Sequence, residues 1–155
     1  YISKKKKPVI LATGASNLKE VEMAIKILKK NIKQICLMQC NTNYTNSDEN
    51  FKFINLNVLK LYKEKFPNVI LGLSDHTSGH STVLGAIALG ARMIEKHVTI
   101  GDNAFLHFDH VAVRMDTGEF AAFVSEIRKC ERILGSETKR VLKSEHHKYW
   151  LPPSS

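Results

Sequence analysis

The chain has 155 residues, 43% of them hydrophobic, and a formal net charge of +8. This length favours one domain with a substantial core. No apolar run is long enough to span a membrane, and no charged-then-apolar leader opens the sequence, so we expect a cytoplasmic protein without a membrane partner. The three cysteines, Cys36, Cys40 and Cys130, fit a reducing compartment better than a disulfide framework.

The excess positive charge does not form a nucleic-acid-binding pattern. It is spread over Lys4–Lys7, Lys26–Lys30 and the region Lys139–Lys148. No aromatic residues alternate with these lysines, as base stacking would require. We therefore predict solvated helix faces that attract anionic substrates, and no nucleic-acid partner.

The predicted elements begin with an alternation of strand and helix. Pro8–Thr13 is a short apolar run that predicts a buried strand. Apolar residues at helical spacing then predict a helix over Leu18–Leu28, with Asn17 and Glu20 as its capping box. Ile35–Cys40 predicts the second buried strand.

The same alternation continues to the end of the predicted fold. Helical spacing predicts further helices over Phe51–Tyr62, Val83–Gly90 and Phe120–Leu134, the last capped by Asp116 and Glu119. Apolar runs predict strands over Val69–Leu73 and Ala91–Glu95. Strands that are apolar on both faces and joined by helices indicate an α/β fold with a parallel sheet.

Two architectures fit this order. One is an open doubly wound sheet, and the other is part of a TIM-type (β/α)8 barrel. No Gly-x-Gly-x-x-Gly sequence follows any strand, which disfavours a dinucleotide-binding domain.

Polar residues follow every predicted strand at its carboxyl end, where parallel α/β folds place their function. The clusters are Thr13-Gly14, Gln39–Tyr44, Ser74–Thr77 and Glu95–His97. Simpler roles stay open for some members. Ser74 and Thr77 can cap the next helix, and Lys96 can be a surface charge.

His76 and His97 stand out because each lies at the mouth of a buried strand. Two neutral imidazoles at adjacent strand ends can converge on one divalent ion and leave positions open for substrate oxygen. Asp75 and Glu95 are candidates for further ligands or for partners that fix the histidine tautomers.

The ordered set of these motifs resembles the sialic acid synthase family, whose members make N-acetylneuraminate and other nonulosonic acids. The residues that carry the resemblance are Pro-Val-Ile-Leu-Ala-Thr-Gly (8–14), Gln-Cys-Asn-Thr-Asn-Tyr (39–44), Gly-Leu-Ser-Asp-His-Thr (72–77) and Glu-Lys-His (95–97). The resemblance implies that the chain corresponds to strands five to eight of a barrel, half of a TIM-type (β/α)8 fold. We accordingly predict a partial synthase barrel over residues 1–145 and an irregular tail over 146–155.

The resemblance also implies an activity. The family condenses phosphoenolpyruvate with an open-chain N-acetylated amino sugar, such as N-acetylmannosamine, and releases phosphate. The expected cofactor is a divalent metal, Mn²⁺ or Mg²⁺.

Carried over by motif, the implied roles fall into three groups. The metal ligands are His76 and His97. The substrate-binding residues are Thr13, Ser74 and either Asn41 or Thr42, which would contact phosphoenolpyruvate. The catalytic residues that meet the sugar are Tyr44, Glu95 and Asp109.

Other functions remain open at this stage. The chain can be a non-catalytic half-barrel that self-associates or needs a complementing chain, because an open sheet has two edges that invite pairing. It can also be a related aldol-type synthase for another ketosugar acid. A basic nucleic-acid-binding module is the least favoured alternative.

Overall fold

The computed structural model describes residues 1–45, 47–101 and 111–145. Its main strands are β1 (Val9–Ala12), β2 (Ile35–Cys40), β3 (Ile70–Asp75) and β4 (Met93–Lys96). Its α-helices are α1 (Leu18–Leu28), α2 (Val58–Lys65), α3 (Ser81–Ala88) and α4 (Glu119–Leu134). The four strands are all parallel and lie side by side in chain order, β1-β2-β3-β4.

The helices cover a single face of this sheet. The core residues of these four strands all point to the same face of the sheet. They are Ile35, Leu37, Leu71 and Leu73, with Val9, Leu11 and Ile94 packed against them. They meet apolar residues of all four helices. Sequential strand order with one covered face is the geometry of a closed barrel, since a doubly wound sheet reverses its order and carries helices on both faces. The predicted half of a TIM-type barrel is therefore confirmed.

The opposite face of the sheet, called here the inner face, is built in layers. The strand register places Ile10, Cys36 and Ile70 in the lowest layer, then Ala12, Met38, Gly72 and Met93, and then Cys40, Ser74 and Glu95. The inner face therefore changes from apolar to polar toward the carboxyl ends of the strands.

The predicted second helix begins later than its apolar spacing indicates. Residues Asp48–Phe53 form a 3-10 helix, and α2 starts at Val58. Asn55 separates the two with a φ of 50°, a left-handed conformation that an α-helix cannot contain. Phe51 consequently belongs to the 3-10 helix and not to α2. By contrast, the capping box of Asn17 and Glu20 on α1 is confirmed.

The predicted cap of the last helix is wrong. Gly118 is the N-cap of α4, with a φ of 79° and no side-chain cap. Asp116 instead accepts hydrogen bonds from the Arg114 guanidinium and from the Gly101 N–H. The Arg114 hydrogen bonds lower the pKa of Asp116 to about 2. Glu119 accepts a hydrogen bond from the Arg114 backbone N–H.

A small parallel pair, β5 (Val98–Thr99) and β6 (Val113–Arg114), continues the chain beyond β4. Its strands have two residues each, too few for the sequence pattern to reveal. The predicted tail, 146–155, lies outside the described residues. Within the described part of the chain, none of the helices combines the length and apolarity needed to cross a membrane.

We expect Gly72→Ala to destabilise the fold. An added Cβ would lie 2.9 Å from Met38 Cγ, 2.9 Å from the Met93 carbonyl oxygen and 3.0 Å from Cys36 Sγ. Two strands and a backbone atom must give way, so we predict a loss of about 1–3 kcal/mol in the free energy of unfolding, measured by denaturant titration.

Gly85→Ala is the matched control for this substitution. The one atom near its added Cβ is Leu56 Cδ1, at 2.9 Å, the mobile end of a side chain. Alanine is also favoured over glycine within a helix. Equal stabilities of the two variants would contradict tight packing at Gly72.

Candidate functional site

His76 and His97 lie side by side on the inner face. Asp75 and Lys96 are the last paired residues of β3 and β4, and the histidines follow them directly. Their ring centroids are 5.2 Å apart. His76 is buried and His97 half-buried. The structure thus brings together the two histidines that the sequence pairs.

The tautomer of His76 is set by the loop that follows β2. His76 Nδ1 lies 2.7 Å from the backbone carbonyl oxygen of Asn41, which can only accept a hydrogen bond. Nδ1 therefore carries the proton, and Nε2 of the neutral ring keeps its lone pair. A histidine held in this way is prepared to bind a metal through Nε2.

The spacing of the two rings fits a shared divalent ion. Two imidazoles that bind one ion at roughly 2.1 Å, at roughly a right angle, have ring centres about 5 Å apart. The observed 5.2 Å agrees with this value. Among the described residues no cluster of three or more His, Cys, Asp or Glu side chains could hold a metal. The pair would therefore supply two ligands and leave the other positions to water or substrate oxygens.

Tyr44 packs against both histidines. Its ring centroid lies 4.3 Å from that of His76 and 5.8 Å from that of His97, the second contact being edge-on. The structure therefore places an aromatic wall, and a phenol group, at the histidine pair.

Side-chain amides fix the loop that carries Tyr44. Gln39 donates to the Ile54 carbonyl, Asn41 donates to the Phe53 carbonyl, and Asn50 donates to the Asn43 carbonyl. These amides replace the hydrogen bonds that a loop backbone lacks. The position of Tyr44 is thus tied to the end of β2.

One layer below the histidines, Ser74 donates a 2.6 Å hydrogen bond to Glu95 Oε1. Cys40 lies in the same layer, with Sγ 3.9 Å from His76 Nδ1. Burial raises the pKa of the Cys40 thiol and the charge of Glu95 raises it further, while the nearby Ser74 hydroxyl and the Gly14 backbone lower it by a smaller amount. The thiol is therefore held in its neutral form beside the histidine.

Asp75 does not approach either histidine. It lies on the helix-facing side, 1% exposed, with Oδ2 2.7 Å from Lys96 Nζ. Lys96 is itself 4% exposed in its side chain, so the alternative that it is a surface charge is wrong. Asp75 Oδ1 accepts hydrogen bonds from the backbone and hydroxyl of Thr77. The alternative that Ser74 or Thr77 caps the next helix is wrong, because α3 begins without a side-chain cap.

The structure does not bring Thr13 to this cluster. Thr13 is buried on the helix-facing side, where its hydroxyl donates to the Met38 carbonyl at 2.8 Å and accepts from Tyr62 at 3.0 Å. It lines a cleft of about 340 Å³ behind the ends of β1 and β2, together with Gln39 and Tyr62. Both hydrogen-bonding directions of the Thr13 hydroxyl are already used within the fold.

The choice between Asn41 and Thr42 is informed by their surroundings. The Asn41 amide donates to Phe53 and its oxygen accepts from the Asn43 N–H at 2.8 Å. Thr42 is exposed, and its hydroxyl has no hydrogen-bond partner among the described residues.

The predicted Asp109 lies outside the described residues, as do His107 and His110.

The sequence interpretation missed two features of the site. Cys40 has no predicted role of its own, although its parity with Met38 places it on the inner face below His76. The Asp75–Lys96 pair was also missed. Both residues continue the helix-facing alternation of Leu73 and Ile94, which would have revealed their side of the sheet.

Comparison with known proteins places this site in context. The model of the NeuB family matches residues 1–139. The N-acetylneuraminate-9-phosphate synthase of Homo sapiens is 33% identical over 143 residues, covering 92% of this chain and 38% of that protein. The N,N'-diacetyllegionaminic acid synthase of Campylobacter jejuni is 37% identical over 147 residues, covering 93% of this chain and 42% of that protein.

A solved structure agrees with these sequence relatives. The N-acetylneuraminic acid (sialic acid) synthetase from Leptospira borgpetersenii, in complex with citrate, superposes with a TM-score of 0.80 at 28% identity. The match covers 96% of this chain and 50% of that one. The chain therefore spans half or less of the length of these relatives.

We expect Thr13→Val to lower stability without weakening metal binding. The substitution leaves the Tyr62 hydroxyl buried and unpaired, which costs about 1–3 kcal/mol of unfolding free energy. Thermal or chemical denaturation measures the loss, and Mn²⁺ titration measures the binding.

A double-mutant cycle supplies the control. Tyr62→Phe combined with Thr13→Val removes both partners, so the pair should be less destabilised than the sum of the single variants. A Thr13→Val protein of normal stability that fails to bind phosphoenolpyruvate would instead place Thr13 at the substrate.

Proposed function

This chain belongs to the NeuB family, and on that premise we propose that it is the metal-bearing half of a nonulosonic acid synthase. The resemblance to sialic acid synthases is thereby confirmed at the level of the family. The observation that carries the proposal is the cluster of His76, His97 and Tyr44 above the Ser74–Glu95 hydrogen bond. It joins two imidazole rings that are suited to a divalent metal to polar groups suited to a sugar and a phosphate ester.

The proposed reaction is the condensation of phosphoenolpyruvate with an open-chain N-acetylated amino sugar. Carbon 3 of phosphoenolpyruvate forms a bond to the aldehyde carbon, and the aldehyde oxygen becomes a hydroxyl. Water adds at carbon 2, and phosphate departs by cleavage of the C–O bond. One water is consumed and one phosphate is released.

His76 and His97 would hold the divalent metal, Mn²⁺ or Mg²⁺, through nitrogen lone pairs. When bound there, the ion would polarise the sugar aldehyde and offset the negative charge that develops on its oxygen. His76 is prepared for this role because Asn41 fixes its tautomer. The burial of His76 and the half-burial of His97 limit competing water.

The polar layer below the histidines and the loop after β2 would together receive the substrates. Glu95 and Tyr44 are proposed to contact the sugar, with Asp109 as a third contact. Ser74 is proposed to bind phosphoenolpyruvate, together with Thr42, whose exposed hydroxyl is available where the Asn41 amide is committed to its loop. The net charge of +8 favours approach of this anionic substrate.

The test combines metal binding with turnover. We expect Mn²⁺ titration of the 155-residue chain to give saturable binding, which His76→Ala and His97→Ala each weaken by at least about 100-fold. Phosphate release from phosphoenolpyruvate and N-acetylmannosamine is then measured with Mn²⁺. Release that disappears in His97→Ala supports catalysis at this site.

His80→Ala is the matched control, because His80 is also a histidine near the strand ends but its ring packs on Phe123 at 5.1 Å. It should leave Mn²⁺ binding unchanged. Absence of Mn²⁺ binding in the unmodified chain would contradict the proposed metal site.

A second function is favoured by the edges of the sheet. Within the described residues, β1 and β4 each have one strand neighbour, and Ile10 on β1 is 56% exposed on the inner face. Such edges suit a half-barrel that joins a second copy or a complementing chain. Mn²⁺ binding without phosphate release, together with a solution mass above that of the monomer, would favour this assembly role.

A further inference from the structure

The ion pair of Asp75 and Lys96 occupies a special position in the sheet. The two residues form the last register pair between β3 and β4, and the next residue on each strand is a histidine of the candidate site. Beyond this point the β3–β4 ladder gives no further pairs. The ion pair is thus the final cross-strand link before the two rings.

Lys96 also holds the chain on both sides of His76. Its ammonium donates to Asp75 Oδ2 at 2.7 Å and to the Thr77 backbone carbonyl. Thr77 donates in turn to Asp75 Oδ1 from its backbone N–H and its hydroxyl, at 3.2 and 2.8 Å. His76 therefore lies between Asp75 and Thr77, and the Lys96 side chain links these two residues. Lys96 itself directly precedes His97 in the sequence.

The burial of this pair is difficult to explain by stability alone. Its side chains are 1% and 4% exposed, and they lie on the helix-facing side of the sheet, the side that carries the hydrophobic core. Withdrawing both charges from water is costly, and apolar residues in such a position are often equally stable. An ion pair of fixed length and direction, in contrast, constrains the positions of the two histidines that follow it, one on each strand.

We propose that the buried Asp75–Lys96 pair is the positioning element that sets the distance and orientation between His76 and His97 for one divalent cation. The proposal rests on the proposed function in assigning metal binding to the two histidines. Neither Asp75 nor Lys96 touches the cation in this arrangement, because both side chains lie on the opposite face of the sheet.

The test replaces both members at once with neutral side chains of similar size, as Asp75→Asn combined with Lys96→Met. Replacing both leaves no single buried charge, and asparagine can still accept from Thr77. We expect the variant to fold, as judged by circular dichroism and its ¹H–¹⁵N spectrum, and its Mn²⁺ dissociation constant to rise about tenfold or more.

A readout without metal makes the test independent of the proposed function. In the unmodified protein the rings, 5.2 Å apart, should give nuclear Overhauser contacts between His76 and His97 ring protons. In the folded double variant these contacts should weaken or vanish. Unmodified protein that binds no Mn²⁺ would refute the proposed function, while the ring contacts would still decide the positioning role.

The control is Glu22→Gln combined with Lys65→Met, which removes an ion pair of 2.8 Å whose side chains are 43% and 40% exposed. Its Mn²⁺ affinity and ring contacts should match those of the unmodified protein. A folded Asp75→Asn, Lys96→Met variant with the same two properties would overturn the proposal.

Thr77→Val decides the question if the double variant does not fold. It removes one hydrogen bond to Asp75 but keeps both charges in place. We expect a severalfold weaker Mn²⁺ affinity and weaker ring contacts. Unchanged values in Thr77→Val would overturn the proposal.

Discussion

The alternation of side chains along four parallel strands is the constraint on which the core and the site both depend. On one face it delivers Leu37, Leu71 and Leu73 to the helices. On the other it delivers Ser74, Glu95 and the histidines to the carboxyl ends of the strands. Since the helices pack on one face of every strand, burial of these core residues fixes the face on which the polar residues appear.

Hydrogen bonds then determine how accurately that face is arranged. A backbone carbonyl fixes the tautomer of His76, and side-chain amides anchor the loop that places Tyr44 against both rings. Each of these links begins at the end of a strand and reaches the next loop. The geometry of the cluster therefore depends on groups that touch neither ring as much as on the rings themselves.

Much of this arrangement can be predicted from the sequence. The limits of β2, the capping box of α1 and the adjacency of the two histidines follow from local pattern and from the rule that parallel strands place function at their carboxyl ends. The features that the sequence does not predict depend on the backbone conformation of a single residue or on the register between strands. Asn55 interrupts a helical pattern through its left-handed φ, and Gly118 takes the cap position expected for Asp116.

The orientation of Thr13 illustrates the second limit. Its motif position suggests a substrate contact, but its parity with Val9 and Leu11 turns the hydroxyl toward Tyr62. The Asp75–Lys96 pair escapes for the same reason, because recognising it requires both the face and the cross-strand register. Motifs identify which residues are chemically capable. The alternation of side chains along each strand then determines which of these residues lie close together.

The alternation of side chains along each strand limits which sequence changes the fold can accept. At the end of β3, core, ion-pair and candidate-site residues alternate as Leu73, Ser74, Asp75 and His76. A point substitution therefore alters one face and spares the other. Loss of a single codon within this stretch would exchange the faces, sending a histidine into the core and a carboxylate into the cavity. We therefore expect a change of length within β3 to disrupt the fold far more than the same change within a loop.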